Sequence, residues 1–194
     1  TIAFGGWGDN SNAGATWVFI RNASGLFEQQ GAKLVGTGAT GAAWQGYSVS
    51  IWADTLGVGG YKDNTVVGAL WVFTRSAGTW SQQGSKLTPT GAVSSTQLGI
   101  SISLQRDTLV GGANLDNNVG AAYVFTRSAG VWTQQARLVG SNPLSGHGQG
   151  TSVSLWNDYL AVGANESPGP GSAYVWRLTS GTWREVRHIS GTSA

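Results

Sequence analysis

The stretch Tyr47-Ser-Val-Ser-Ile-Trp-Ala-Asp54 occurs again, with small changes, as Ile100-Ser-Ile-Ser-Leu-Gln-Arg-Asp107 and Thr151-Ser-Val-Ser-Leu-Trp-Asn-Asp158. In each copy serines alternate with aliphatic residues, which is typical of a β-strand with two unlike faces. The copies follow one another at intervals of about fifty residues, as in repeat proteins. A repeated β unit therefore decides the fold of this chain.

Three further segments complete each unit. The segment after the aspartate reads Thr55-Leu-Gly-Val-Gly-Gly60 in the second unit, and Thr1-Ile-Ala-Phe-Gly-Gly6 is its counterpart at the start of the chain. A third segment, such as Ala69-Leu-Trp-Val-Phe73, leads through a Ser-Ala-Gly turn to a fourth, such as Thr79-Trp-Ser-Gln-Gln83. Short runs rich in Val, Thr and aromatics, separated by Gly and Asp turns, indicate antiparallel strands. Each unit is predicted to be a four-stranded meander.

A meander with two apolar faces must stack on its neighbours, and stacking around an axis gives a propeller. We therefore predict an all-β fold, a β-propeller of four-stranded antiparallel blades with about four blades in this chain. A flat solenoid or a pair of small sandwiches is the alternative. The predicted units span residues 1–44, 45–97, 98–148 and 149–194.

The first unit is expected to lack its first strand, because Thr1 aligns with Thr55. Such a unit exposes an unpaired sheet edge. We therefore expect the chain to be part of a larger ring, or to close a ring with another copy or another polypeptide.

The composition excludes several classes of function. Charged residues make up only 10% of the chain and the net charge is +2, which does not favour nucleic-acid binding. No apolar run is long enough for a membrane-spanning helix. There are two histidines and no cysteine, and neither histidine has an acid and a hydroxyl at matching positions of other units. We therefore expect no enzyme activity, and a structural turn role for the recurring aspartates.

The repeat resembles the FG-GAP family, whose blades form the propellers of integrin α subunits and of many bacterial surface and secreted proteins. Its Phe-Gly step appears here as Gln45-Gly46, Leu98-Gly99 and Gln149-Gly150, beside Ser-Val-Ser-Leu and Ala-Tyr-Val-Phe phrases. The resemblance implies a propeller, commonly of seven blades. It also implies adhesion or ligand recognition outside the cell or at its surface.

Many members of that family carry a calcium loop between the second and third strands. Calcium requires six to eight oxygen ligands, several of them from carboxylates. The corresponding loops here hold one acidic residue each, so Asp9 and Asp116 are only weak calcium candidates and ordinary turns are the preferred interpretation. No cofactor is predicted.

Aromatic residues remain as candidate functional groups. Two recurring sets are interpreted as core between blades: Trp17, Trp71, Tyr123 and Tyr174, and Phe27, Trp80, Trp132 and Trp183. Five others do not recur in every unit and are predicted to contact a ligand: Trp7, Trp44, Trp52, Tyr61 and Trp156. In the alignment of the units, the residue that corresponds to Trp7 and Tyr61 is Ala113 in the third unit and Asn165 in the fourth. Exposed aromatic rings beside amides and carboxylates suit sugar rings.

The leading hypothesis is a non-catalytic extracellular or cell-surface propeller that recognises a protein or a glycan through loops on one face. The alternative is a structural or assembly module of a larger surface protein or filament, with no separate ligand.

Overall fold

The computed structural model describes residues 1–92, 95–165 and 171–191. These residues form fifteen strands. The first seven are β1 (Ile2–Gly6), β2 (Ala15–Arg21), β3 (Phe27–Gln29), β4 (Ser48–Trp52), β5 (Thr55–Gly60), β6 (Ala69–Ser76) and β7 (Thr79–Gln82). The others are β8 (Ser101–Gln105), β9 (Thr108–Ala113), β10 (Ala121–Ser128), β11 (Val131–Leu138), β12 (Ser152–Trp156), β13 (Tyr159–Ala164), β14 (Ser172–Thr179) and β15 (Thr182–Ser190).

The strands assemble into four antiparallel meanders that follow one another along the chain. Sheet 1 has the order β1-β2-β3, sheet 2 β4-β5-β6-β7, sheet 3 β8-β9-β10-β11 and sheet 4 β12-β13-β14-β15. The predicted all-β class and blade-like sheets are confirmed. Sheet 1 has three strands. Its β1 pairs with β2 in the same register as β5 pairs with β6, so β1 corresponds to the second strand of the four-stranded sheets.

The alternating serines of the repeated stretch join neighbouring sheets. Ser48 Oγ donates a hydrogen bond to the carbonyl oxygen of Gly99 at 2.7 Å, and Ser101 Oγ does the same to Gly150 at 2.8 Å. Ser50 Oγ in turn accepts the backbone N–H of Leu104 at 3.0 Å. The serine face of each first strand therefore holds the next first strand in place.

The glycine that precedes each first strand is required by a close approach of two backbones. Gly150 has φ +89°, and a Cβ built on it would lie 2.2 Å from the carbonyl oxygen of Ala121. Gly46 and Gly99 hold the equivalent position, also with positive φ. This close approach explains why the glycine of the family's Phe-Gly step is kept in all three copies.

Aromatic side chains fill the space between neighbouring sheets, as predicted for most of the recurring sets. Six are buried: Trp71, Tyr123, Tyr174, Trp80, Trp132 and Trp183. The prediction was wrong for sheet 1, where Phe27 is 50% exposed and Trp17 is only partly buried. The difference arises because, in the part of the chain that the structure describes, no other sheet packs against that face of sheet 1.

Three short turns after the second strands have an unusual backbone. Asp9–Asn12 (α1) and Asp63–Val66 (α2) are assigned as helical turns, and Asp116–Asn118 is a 3-10 turn. Their interior residues have positive φ, for example 48° and 55° at Asn64 and Thr65. Asparagine tolerates this region, whereas a β-branched threonine is strained there.

Candidate ligand-binding site

Four aromatic side chains meet at one end of sheets 1 and 2, and we call them the aromatic cluster. Trp7 follows β1, Tyr61 follows β5, and Trp44 and Tyr47 precede β4. They converge because the start of β4 lies beside the end of β5 in the antiparallel register, with Ser48 opposite Gly59. Three of the five predicted site residues are thus brought together.

The rings of the aromatic cluster contact one another in a continuous series. Trp7 stacks on Trp44 with ring centroids 4.3 Å apart and an angle of 23° between planes. Tyr61 meets Trp44 edge-on at 5.4 Å and Tyr47 edge-on at 4.5 Å. Trp7 is 43% exposed and Tyr47 41% exposed, so the cluster presents ring surface to solvent.

A lysine and a tyrosine hydroxyl add polar groups to the aromatic cluster. Lys62 Nζ lies 5.4 Å from the ring centroid of Trp44 and 5.2 Å from that of Tyr61, within the range of cation–π attraction. Partial burial, and then the charge of Tyr47, raise the pKa of the Tyr61 hydroxyl above its ordinary value. The hydroxyl is therefore protonated at neutral pH and can both donate and accept a hydrogen bond.

The backbone of Trp44 is fixed in a conformation that bulky residues rarely adopt. Its φ is +58°, and its N–H donates to the carbonyl oxygen of Asn12 at 3.1 Å. The next residue, Gln45, is buried and its side chain makes two hydrogen bonds with the backbone of Gly36, at 2.5 and 2.9 Å. The same bend recurs at Gln97 and Gly148, so it belongs to the repeat, while the indole is specific to this unit.

The register of the sheets corrects one alignment made from the sequence. Ala113 pairs with Ala121 as Gly60 pairs with Ala69, so the residue of the third unit that corresponds to Tyr61 is Asn114, not Ala113. For the fourth unit the alignment was right, because Asn165 follows Ala164 and so holds the position that matches Tyr61. In the third and fourth units an asparagine therefore stands where the first two have an aromatic ring.

The other two predicted site residues lie elsewhere. Trp52 and Trp156 end β4 and β12, so they lie at the opposite end of the strands from the aromatic cluster. Their counterpart Gln105 is buried and its Oε1 accepts the backbone N–H of Asn157 at 2.6 Å. Trp52 and Trp156 therefore flank sheet corners and do not extend the cluster.

Sequence reasoning missed two members of the site, Tyr47 and Lys62. Trp7 was selected because its aromatic ring does not recur in every unit. Tyr47 satisfies the same criterion, since its counterparts before β8 and β12 are Ile100 and Thr151. Lys62 carries no such signal, because a single exposed lysine in a loop is ordinary.

In each of these three turns the acidic residue is paired with a cation that lies in, or just after, the last strand of the same sheet. Asp9 pairs with Lys33, Asp63 with Lys86 at 2.5 Å and Arg137 with Asp116 at 2.6 Å. Asp63 is fully buried and its Oδ1 accepts the backbone N–H of Thr40 at 2.7 Å. The carboxylates of the two weak calcium candidates, Asp9 and Asp116, thus already hold a basic side chain.

Asp116 has a further partner in the core. The hydroxyl of Tyr123 donates to its Oδ2 at 2.8 Å. Burial, and then the hydrogen bond to Asp116, raise the pKa of Tyr123 far above its ordinary value. Across residues 1–92, 95–165 and 171–191, no three side chains of His, Cys, Asp or Glu are grouped so as to hold a metal ion. The acidic loop of the fourth unit, at 166–170, lies outside the described residues.

Two of the three recurring corner aspartates, Asp54 and Asp107, bind arginines of their own sheets. Asp54 Oδ1 accepts Arg75 Nε at 2.7 Å, and Asp107 Oδ1 accepts Arg127 Nε at 2.7 Å. These contacts join the first hairpin of a sheet to its third strand, which is a structural function.

Comparison with known proteins gives one family. FG-GAP repeats match the chain at residues 80–125 and at residues 132–176. No curated protein matches it. In the part of the chain that the structure describes, no helix is both long and apolar enough to cross a membrane.

Each match runs from the last strand of one sheet into the third strand of the next, β7 to β10 and β11 to β14. The sequence repeat is therefore offset by one strand from the structural sheet. Residues 80–125 and 132–176 are thus FG-GAP repeats that fold into blade-like antiparallel sheets, as the resemblance to that family predicted.

Proposed function

We propose that the chain is a non-catalytic binding module of the extracellular space or the cell surface, and that it recognises a carbohydrate through the aromatic cluster. The observation that carries this proposal is the exposed, continuous series of rings formed by Trp7, Trp44, Tyr47 and Tyr61. This series lies at one end of sheets 1 and 2, and it is distinct from the stacked rings of Phe4, Trp17 and Phe19 within sheet 1.

The chemistry of the cluster suits a sugar better than an apolar ligand. Stacked indole rings offer flat apolar faces to the C–H faces of a sugar ring. The protonated Tyr61 hydroxyl and the Lys62 ammonium supply hydrogen-bond donors for sugar hydroxyls beside those faces. The exposed amides of the neighbouring turns belong to Asn10, Asn12 and Asn64.

The fixed backbone around Trp44 supports the same function. A site that is ordered before the ligand arrives loses less conformational entropy on binding. The hydrogen bonds of Trp44 to Asn12 and of Gln45 to Gly36 hold the ring in place through the backbone of both sheets. The family's common use in recognition outside the cell supports the proposed location.

A glycan array followed by isothermal titration tests this proposal. Trp7→Ala is expected to weaken binding of the selected glycan about fivefold, because a stacked ring contributes about 1 kcal/mol. Trp156→Ala is the matched control, since it removes an exposed indole from the opposite end of a strand. An array on which the intact chain binds no glycan, or equal losses in the two variants, would contradict the carbohydrate site. Binding of a protein that survives Trp7→Ala would place recognition on another surface.

A further inference from the structure

Neighbouring sheets in this fold meet through two unlike faces. The face of sheet 2 toward sheet 1 carries large side chains, among them Leu56, Trp71 and Trp80, which form one core cluster with Val18 of sheet 1. The face of sheet 2 toward sheet 3 carries Gly57 and Gly59. We call these the large face and the small face of a sheet, and every internal contact joins a large face to a small face.

None of the described residues forms a sheet against the large face of sheet 1. Ile2 and Phe4 occupy the positions of Leu56 and Val58 in the pairing register and are about half exposed. Phe4 stacks on Trp17 at 5.5 Å and on Phe19 at 5.4 Å. An apolar surface of this kind is typical of an interface.

Within residues 1–92, 95–165 and 171–191, no sheet packs on the small face of sheet 4 either. It contains an open cavity of about 500 Å³ whose lining includes Ser152, Gly163, Ala173 and Ile189. Ser152 is exposed, whereas its counterparts Ser48 and Ser101 are partly buried and bond the following sheet. The molecule thus has one uncovered large face and one uncovered small face.

A hydrogen-bonded pair of side chains marks each of the three internal contacts. The indole N–H of a tryptophan on the large face donates to the side-chain oxygen of a glutamine in the preceding sheet. The pairs are Trp80 with Gln30 at 2.9 Å, Trp132 with Gln83 at 2.8 Å and Trp183 with Gln135 at 3.0 Å.

At the two uncovered faces both members of this pair are changed. Phe27 pairs with Arg21 as Trp80 pairs with Arg75, so phenylalanine replaces the tryptophan. Val186 occupies the bulge of β15 that Gln135 occupies in β11, so valine replaces the glutamine. Phenylalanine has no N–H to donate and valine has no oxygen to accept, so the two changes match each other. A change at only one of the two positions would leave a polar group unsatisfied in the contact.

We propose that the large face of sheet 1 packs on the small face of sheet 4 of a second copy of this chain, with Phe27 against Val186. The two residues are 50% and 51% exposed in the single chain, so the described residues of their own chain leave both side chains open to such a contact. Such a contact is head-to-tail, and two of them close a pair of chains into one ring. This inference does not depend on the carbohydrate site, because the aromatic cluster lies between sheets 1 and 2.

Sedimentation equilibrium of the 194-residue chain tests the contact through a double-mutant cycle. We expect the wild type to form a dimer or a larger assembly. In Phe27→Trp alone and in Val186→Gln alone, the dissociation constant is expected to be at least about fivefold larger, because each change adds one unsatisfied polar group to the contact. The double variant recreates the internal Trp–Gln pair and is expected to associate more tightly than either single variant.

Both residues are exposed in the single chain, so these variants are expected to fold, and thermal unfolding of each variant checks this. A wild-type chain that stays monomeric at micromolar concentrations would overturn the proposal. Single effects that simply add in the double variant would overturn the pairing of Phe27 with Val186. Loss of glycan binding in Trp7→Ala without loss of assembly separates this result from the proposed function.

Discussion

The indole N–H of Trp80 donates a hydrogen bond to the side-chain oxygen of Gln30 in the preceding sheet, at 2.9 Å. The same oxygen accepts a hydrogen bond from Arg75 at 3.1 Å, and the guanidinium of Arg75 lies 5.2 Å from the Trp80 ring centroid. One amide oxygen thus satisfies two donors of the next sheet, and the arrangement recurs with Gln83, Arg127 and Trp132.

Gln30→Leu is therefore expected to destabilise the fold by about 1–3 kcal/mol, because it leaves the buried Trp80 N–H without an acceptor. Gln29→Leu is the control, since Gln29 is exposed on the same strand, and its change is expected to stay within about 0.5 kcal/mol. Urea unfolding of both variants measures the difference. Equal midpoints would show that the hydrogen bond does not stabilise the contact between sheets.

Asp63→Asn is expected to cost about 3 kcal/mol of unfolding free energy, because Asp63 is fully buried and its charge is paired with Lys86. Asp54→Asn removes an ion pair whose carboxylate is 62% exposed, so its cost is expected to stay below about 1 kcal/mol. Chemical denaturation of the two variants separates the buried pair from the exposed pair. A similar small loss in both would mean that the Asp63 pair is as well solvated as the surface one.

Stability is expected to fall as pH rises above 10.0, the ordinary pKa of a tyrosine hydroxyl, because Tyr123 has a raised pKa in the folded chain. In that range the unfolded chain has released the Tyr123 proton while the folded chain still binds it, so deprotonation favours unfolding. Below the ordinary pKa the contribution of Tyr123 is fully present. Tyr123→Phe should therefore show a shallower decline of unfolding free energy with alkaline pH than the wild type. Identical slopes would contradict a raised pKa at this site.

Gly150→Ala is expected to be much more destabilising than Gly84→Ala. Both glycines have positive φ, which costs an alanine about 1 kcal/mol. A Cβ at Gly84 meets nothing within 4 Å, whereas one at Gly150 lies 2.2 Å from a backbone oxygen. The additional steric cost is expected to be at least about 2 kcal/mol. Melting temperatures that shift equally would show that backbone conformation alone explains the glycine.

The strands could be predicted from the sequence because each unit repeats the same alternation, and fifteen strands in four meanders follow that pattern. Periodicity does not reveal whether a face is covered. Phe27 and Trp80 look equivalent in sequence, but only Trp80 has a sheet packed against it.

The candidate site was predictable in part. The sequence shows that the positions of Trp7, Trp44 and Tyr61 are not aromatic in every unit. Antiparallel pairing alone places Trp52 at the other end of β4 from these residues. The stacking of Trp7 on Trp44 was not predictable, because it depends on the path of the linker that Gln45 holds against Gly36. The ion pair of Asp63 with Lys86 depends in the same way on a loop that no local pattern specifies.

The Trp–Gln contact also bears on how such a chain can lengthen. A duplicated third unit inserted beside the original would bring Trp132 against Gln135 and leave every tryptophan with an acceptor. A duplicated fourth unit would place Trp183 against Val186, where no side-chain oxygen is present. Duplication of an interior unit therefore keeps every Trp–Gln hydrogen bond, whereas duplication of the fourth unit loses one. The side chains at one small contact thus restrict which rearrangements of the gene yield a folded protein.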